Sequence, residues 1–151
     1  MPSPSPLYLE DLHPGLAFTS AEHRLDADQV VGFARQFDPQ PFHLDDDAAR
    51  ATLFGGLAAS GWHTAAITMR LLVGEAAPIA GGIIGAGAEV AWPQPTRPDD
   101  VLRVRSEVLE IKPSRSRADR GMARLRCATL NQRGEVVQNM SCWLVVPRRP
   151  Q

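Results

Sequence analysis

This 151-residue chain is poor in cysteine, poor in aromatic residues and nearly balanced in charge, with two cysteines, 6% aromatics and a formal net charge of -1. Cys127 and Cys142 fall in segments that read as strands, with no CxxC pair and no clustered histidines. That pattern argues against a disulfide framework and a zinc site, and reads as two buried, reduced thiols in a cytoplasmic protein. Near-neutral charge with 44% hydrophobic residues excludes an acidic disordered chain, a collagen-like chain and a histone-like nucleic-acid binder. No long apolar run is present either. The stretch from Gly56 to Val73 is interrupted by His63 and Arg70, and the one from Pro78 to Trp92 is rich in glycine and carries Glu89. Neither reads as a membrane-spanning helix. Residues 1–6, Met1-Pro2-Ser3-Pro4-Ser5-Pro6, lack the basic and apolar regions of a signal peptide and read as a disordered, polyproline-like lead. With no repeat and no linker, residues 7–151 are expected to form a single domain.

Charge is unevenly placed. Up to Ser60 there are nine acids and three arginines, and beyond it thirteen bases and eight acids. The plain reading is solvated surface; the sharper one is a basic half that meets a polyanionic ligand.

Phe18 to Leu25 is expected to be a first strand. Asp26, with Gln29 three residues on, is a capping-box-like start, and Val30, Val31, Phe33, Ala34 and Phe37 continue at helical spacing, which predicts a helix over 27–37. Asp38-Pro39-Gln40-Pro41 should end it, because proline lacks the backbone donor and disfavours helical geometry in the residue before it. The segment from Asp38 to His43 is therefore expected to be extended or turn-like, and Asp45, Asp46 and Asp47 to cap a short helix through Arg50. Ser60-Gly61 opens a segment that is apolar on nearly every side, which predicts a buried helix. After it the period changes to two. Gly85 to Trp92, Val101 to Ile111, Met122 to Leu130 and Val136 to Val146 read as strands, the last two joined by a hairpin loop at Asn131 to Glu135. The fold class is α+β, a curved antiparallel β-sheet wrapped around a long central α-helix.

The segment Phe37-Asp38-Pro39-Gln40-Pro41-Phe42-His43 places an acid and an imidazole five residues apart in a stretch stiffened by two prolines. A histidine beside a carboxylate can serve as a general acid/base near neutral pH, and a helix N-terminus such as that at Ser60-Gly61 suits a developing oxyanion. Together they fit chemistry next to a carbonyl, such as adding or removing water across C2–C3. Asp-x4-His by itself fits a helix-ending aspartate and a surface histidine equally well.

The run Phe33-Ala34-Arg35-Gln36-Phe37-Asp38-Pro39-Gln40-Pro41-Phe42-His43-Leu44-Asp45, followed by Phe54-Gly55 and Ser60-Gly61, resembles the hydratase motif of MaoC-like acyl dehydratases, the (R)-specific enoyl-CoA hydratases and relatives with the hot-dog fold. The resemblance implies reversible hydration of a 2-enoyl thioester to a 3-hydroxyacyl thioester. It implies that Asp38 and His43 hold and activate water, and that the Gly61 backbone N–H polarises the thioester carbonyl. Gln40 and Ser60 would border the substrate, and Trp62, Ile67 and Met69 would line an acyl tunnel along the central helix. It further implies no metal and no cofactor beyond the coenzyme A of the substrate, an acyl-CoA or acyl-carrier thioester as partner, and a homodimer or higher oligomer. Two departures from the family's pattern bear on substrate. Gln40 stands where asparagine is common and Trp62 where methionine is common, which points to a short or branched acyl group. A packed, hydrogen-bonded role is expected for His63, and a surface position for His13 and His23. The basic loop Lys112 to Arg120 is either a solvated turn or a phosphate contact through Arg115, Arg117 or Arg120. No aromatic residues interleave with these arginines, which argues against nucleic acid. A thioesterase and a non-catalytic acyl-CoA binding module are the alternative readings on the same fold.

Overall fold

The structure is a computed structural model that describes residues 5–151. The expectation of a disordered lead over residues 1–6 rests mostly on residues 1–4, outside the described residues. Leu7 is already tied down, its N–H donating to the Pro78 carbonyl at 2.8 Å.

Three long strands form the body of the sheet: β4 (Val101–Pro113), β5 (Arg120–Leu130) and β6 (Val136–Pro147). Alternation dictates which side of each faces the core. Leu102, Val104, Ser106 and Val108 of β4, Ala123, Leu125, Cys127 and Thr129 of β5, and Met140, Cys142, Leu144 and Val146 of β6 are all buried. The intervening Arg103, Arg105, Arg124 and Arg126 lie on the opposite face. All pairings are antiparallel, and β3 (Ile84–Ala91) adds to the outer side of β6. β3 is an edge strand, with most of its residues exposed.

The expected first strand over Phe18 to Leu25 is instead two short ones, β1 (Ala17–Thr19) and β2 (His23–Arg24), both paired with β4. The interruption has a local cause. Ser20 donates its backbone N–H to the Val104 carbonyl, while its hydroxyl oxygen, rather than its carbonyl, accepts from the Val104 N–H. A side chain thereby takes over one ladder position, and the backbone leaves the sheet there.

Helix α1 (Ala27–Phe37) begins at Asp26, whose carboxylate accepts the Gln29 N–H at 2.9 Å. The Gln29 side chain reaches His23 and the Arg24 carbonyl, so it braces the preceding strand instead of closing the reciprocal half of a capping box. Helix α2 (Pro41–Leu44) lies where an extended or turn-like segment was expected. Pro41 is its first residue, the position at which a missing N–H costs nothing and a fixed φ helps. Helix α3 (Asp46–Arg50) is capped by Asp45, as the acidic run suggests.

The central helix α4 (Gly61–Leu71) runs into a π turn at Leu72–Ala76. Ile67, Leu71 and Leu72 join the core that the sheet covers, each contributing roughly 1.5–3 kcal/mol of apolar burial. The helix is not buried all round: Trp62, Ala66, Met69 and Arg70 are exposed. Its inward face also carries His63, Thr64 and Thr68, polar groups that an apolar reading of the segment passes over. Cys127 and Cys142 are buried and unbridged on neighbouring strands, and Cys127 is held above its ordinary pKa by a hydrogen bond with Cys142 and by burial.

Candidate active site

The site begins where α1 ends. Asp38 is the C-cap of α1, its N–H bonded to the Ala34 carbonyl, and α2 then carries His43 back over it. The His43 Nε2 lies 3.3 Å from Asp38 Oδ2, with the two side chains 5% and 16% exposed. On the other side of the ring, Nδ1 lies 2.7 Å from the Ala58 carbonyl oxygen. A carbonyl can only accept, so Nδ1 carries a proton, and Nε2 is the ring nitrogen turned toward Asp38. The Asp38 carboxylate and the His43 Nε2 therefore converge on one small space, within reach of a single polar group placed between them.

Burial of Asp38 pushes its carboxyl upward, but hydrogen bonds from Ser60 and Gln40 and the neighbouring His43 act in the other direction and leave it below its ordinary value. Asp38 is thus a carboxylate at neutral pH. Gln40 Nε2 donates to Asp38 Oδ1 at 2.5 Å, which leaves Oδ2 for His43. The longer amide at this position therefore orients the acid.

Ser60 is the N-cap of α4. Its hydroxyl accepts the Trp62 N–H, and its carbonyl accepts those of His63 and Thr64. Of the first four N–H groups in the helix, only that of Gly61 is not taken by Ser60, at the end where the helix dipole favours negative charge. Gly61 borders a cavity of about 380 Å³ shared with His43, Phe54, Ala59, Thr64 and the run Trp92 to Thr96. The absence of a side chain at Gly61 is required by its neighbour. A Cβ there would stand 2.6 Å from the Trp92 ring.

The remaining residues singled out from the sequence are more dispersed. Trp62 is 62% exposed and packs edge-on against Trp92, with ring centroids 5.2 Å apart, and it does not line the cavity. Ile67 lies in the core and borders neither this cavity nor the apolar one beside Met69. Met69 lines a second cavity of about 250 Å³, almost wholly apolar, between α4 and the sheet, together with Leu72, Gly85, Met140, Cys142 and Leu144. Arg115 and Arg117 stand on the exposed loop between β4 and β5 and border neither cavity. His63 is packed, stacked on Phe33 at 4.5 Å, but its Nδ1 has no hydrogen-bond partner, contrary to the expectation of a satisfied ring. His23 does have a partner, Gln29, at 2.7 Å.

Three contributors were not identified from the sequence. Arg97 donates to the carbonyls of Phe54, Gly56 and Leu57, holding the loop that presents the Ala58 oxygen to His43. Trp92 forms a cavity wall, and Gln138 holds its indole N–H at 2.9 Å. The signal for Gln138 was available: it shares parity with Met140, Cys142 and Leu144, a polar residue on an inward row. Among the described residues no three His, Cys, Asp or Glu side chains come together as a metal site would need, and no helix is long and apolar enough to cross a membrane.

Residues 14–126 match the MaoC like domain. The chain is 33% identical over 128 residues to the uncharacterized protein YdeM of Bacillus subtilis, covering 83% of this chain and 88% of that protein. It is 33% identical over 144 residues to the 3-hydroxybutyryl-CoA dehydratase of Methylorubrum extorquens, covering 95% and 86%. The crystal structure of a MaoC-like dehydratase from Rhodospirillum rubrum superposes with a TM-score of 0.94 at 61% identity, covering 96% of this chain and 99% of that one. The six-stranded antiparallel sheet around α4 is accordingly a hot-dog fold, and the chain belongs to the family of MaoC-like dehydratase domains.

Proposed function

We propose that the protein catalyses the reversible hydration of a 2-enoyl thioester to a 3-hydroxyacyl thioester, with Asp38 and His43 as its catalytic pair. The observation that carries this reading is the pairing of His43 Nε2 with Asp38 Oδ2 at 3.3 Å while the opposite ring nitrogen is committed to Ala58. A water bound between Asp38 and His43 gives a proton to the pair as its oxygen bonds to C3. The C2–C3 π electrons move toward C2 and the thioester oxygen, where the Gly61 N–H stabilises the charge. The pair then returns a proton to C2, so that the water ends as a hydroxyl on C3 and a hydrogen on C2. No cofactor enters beyond the coenzyme A or carrier arm of the substrate.

The acyl chain extends toward the apolar cavity at Met69, whose volume suits a short chain. The molecule acts as a homodimer. The free edge of β3 and the exposed side of α4, with Trp62, Met69, Val73 and Ile84, offer the apolar face a second copy would cover. In that assembly Arg115 and Arg117 of one protomer serve the phosphates of substrate bound to the other.

The test is loss of the conjugated-enoyl absorbance of crotonyl-CoA, followed by a panel of longer and branched enoyl-CoA thioesters. Wild type should be active, and Asp38→Asn and His43→Gln should each lose 10²-fold or more, within the ~10²–10⁴ expected for a positioned acid/base. Release of free thiol with the conjugated absorbance intact would instead identify a thioesterase. Binding without turnover across the panel would identify a binding module.

A further inference from the structure

A chain of polar groups crosses the core and ends at the cavity wall. Thr68, in the middle of α4, donates its hydroxyl to the Thr64 carbonyl and receives the Gln138 Nε2 at 3.0 Å. Its oxygen lies 2.6 Å from that of Thr129, whose hydroxyl is then the donor. Gln138 is fully buried, and its Oε1 accepts the Trp92 indole N–H. Thr64, also buried, donates to Thr96 on the same cavity wall. Every direction in this chain is determined. Indole N–H can only donate, so the Gln138 oxygen must face Trp92 and its NH₂ must face Thr68.

Such a network is costly to bury and is tolerated when each member is satisfied, in which case it fixes geometry. It reaches the cavity through Thr96 and Trp92, and the indole of Trp92, just beyond the end of β3, is held by Gln138 as well as by its packing against Gly61 and Trp62. The ring it holds lies against the Gly61 Cα, the residue whose N–H is proposed to bind the thioester oxygen. A thioester carbonyl bound to the Gly61 N–H would carry its acyl carbons along the cavity wall that Trp92 forms.

We propose that Gln138 is a positioning residue that acts through Trp92, and that the ring it fixes selects against substituents at C2 of the substrate, favouring unbranched 2-enoyl thioesters over 2-methyl-branched ones. This rests on the hydratase reading above. The Gln138 amide touches no reacting atom; it determines where the indole stands, and the indole determines what fits at C2.

The experiment compares kcat/KM for crotonyl-CoA and 2-methylcrotonyl-CoA in wild type, Gln138→Met, Trp92→Phe and the double variant. Wild type should prefer the unbranched substrate. Either single change should reduce that preference about tenfold, and the double variant no further, because both remove one device. A purely structural role for Gln138 would lower both values together and leave the ratio unchanged, which would overturn the proposal. Trp92→Phe lies at the surface and keeps the test decisive if Gln138→Met does not fold. Two measurements separate this failure from that of the hydratase reading. Calorimetric affinities for butyryl-CoA and 2-methylbutyryl-CoA should show the same change of ratio without turnover. In the ¹H–¹⁵N spectrum the Trp92 indole N–H should exchange more slowly than those of Trp62 and Trp143 in wild type and lose that protection in Gln138→Met. Equal exchange of all three in wild type would refute the fixed ring.

Discussion

His63 makes the fold sensitive to mild acid, and the effect can be given a size. Burial, reinforced by the nearby His23, lowers its pKa from 6.5 to about 4. In the unfolded chain the ring takes up its proton near the ordinary value, whereas the folded protein resists it until much lower pH. The unfolded state therefore binds more protons in between, and stability is full above pH 6.5 and is lost as the pH falls toward 4. Linkage gives a loss of roughly 2 kcal/mol on going from pH 7 to pH 5, and about 3 kcal/mol by pH 4, as upper limits because water reaching the ring screens part of the effect. Asp26, Asp38 and Asp46 have pKa values lowered below 3.8 and leave the window from pH 7 to 5 untouched. His63→Leu removes the unpartnered Nδ1 while nearly conserving volume, so stability at pH 7 should change by less than about 1.5 kcal/mol. Its dependence on pH between 7 and 5 should flatten by the ~2 kcal/mol derived above. Urea denaturation followed by circular dichroism at pH 7, 6 and 5 measures both proteins. Parallel profiles for wild type and His63→Leu would refute the reasoning.

Gly61→Ala would place a methyl 2.6 Å from the Trp92 ring. Relieving that contact pulls the ring against its bond to Gln138, so the protein should fold with reduced stability while kcat/KM for crotonyl-CoA falls about 10²-fold, the cost of a small misplacement at the reacting centre. Arg97→Met strips donors from the carbonyls of Phe54, Gly56 and Leu57 and should cost about 2–4 kcal/mol by chemical denaturation. Its kcat should fall as well, since the loop then presents Ala58 less firmly to His43; unchanged kcat in the folded variant would show that the loop holds itself.

Much of the fold was legible because its elements announce themselves locally. Asp26 at the start of α1, Ser60 at the start of α4 and the strict alternation of β4, β5 and β6 each follow from a few neighbouring residues. Pro41 misled because the rule that proline ends a helix also allows it to begin one. The split between β1 and β2 depends on Ser20 meeting Val104, a contact 84 residues distant that no local pattern encodes. The same limit applied to the site. Asp38 and His43 meet within one short segment, and their expected roles with that of Gly61 came from the resemblance of that segment to a family motif, but Arg97 meets its three carbonyls across 40 or more residues. Trp62 was expected to shape the pocket on its position in the motif alone, yet its neighbour in space, Trp92, occupies the wall.

The order of these groups along the chain carries an evolutionary consequence. Asp38, His43, Ala58 and Gly61 fall within one short segment, whereas Trp92 to Thr96 arrive from the connection between β3 and β4. On the proposed reading, proton handling and substrate choice lie on separate stretches. On that reading a descendant can vary the connecting stretch and shift its acyl preference while keeping Asp38 and His43, provided the wall against Gly61 is kept. The same division makes that connection a natural place for a loop graft.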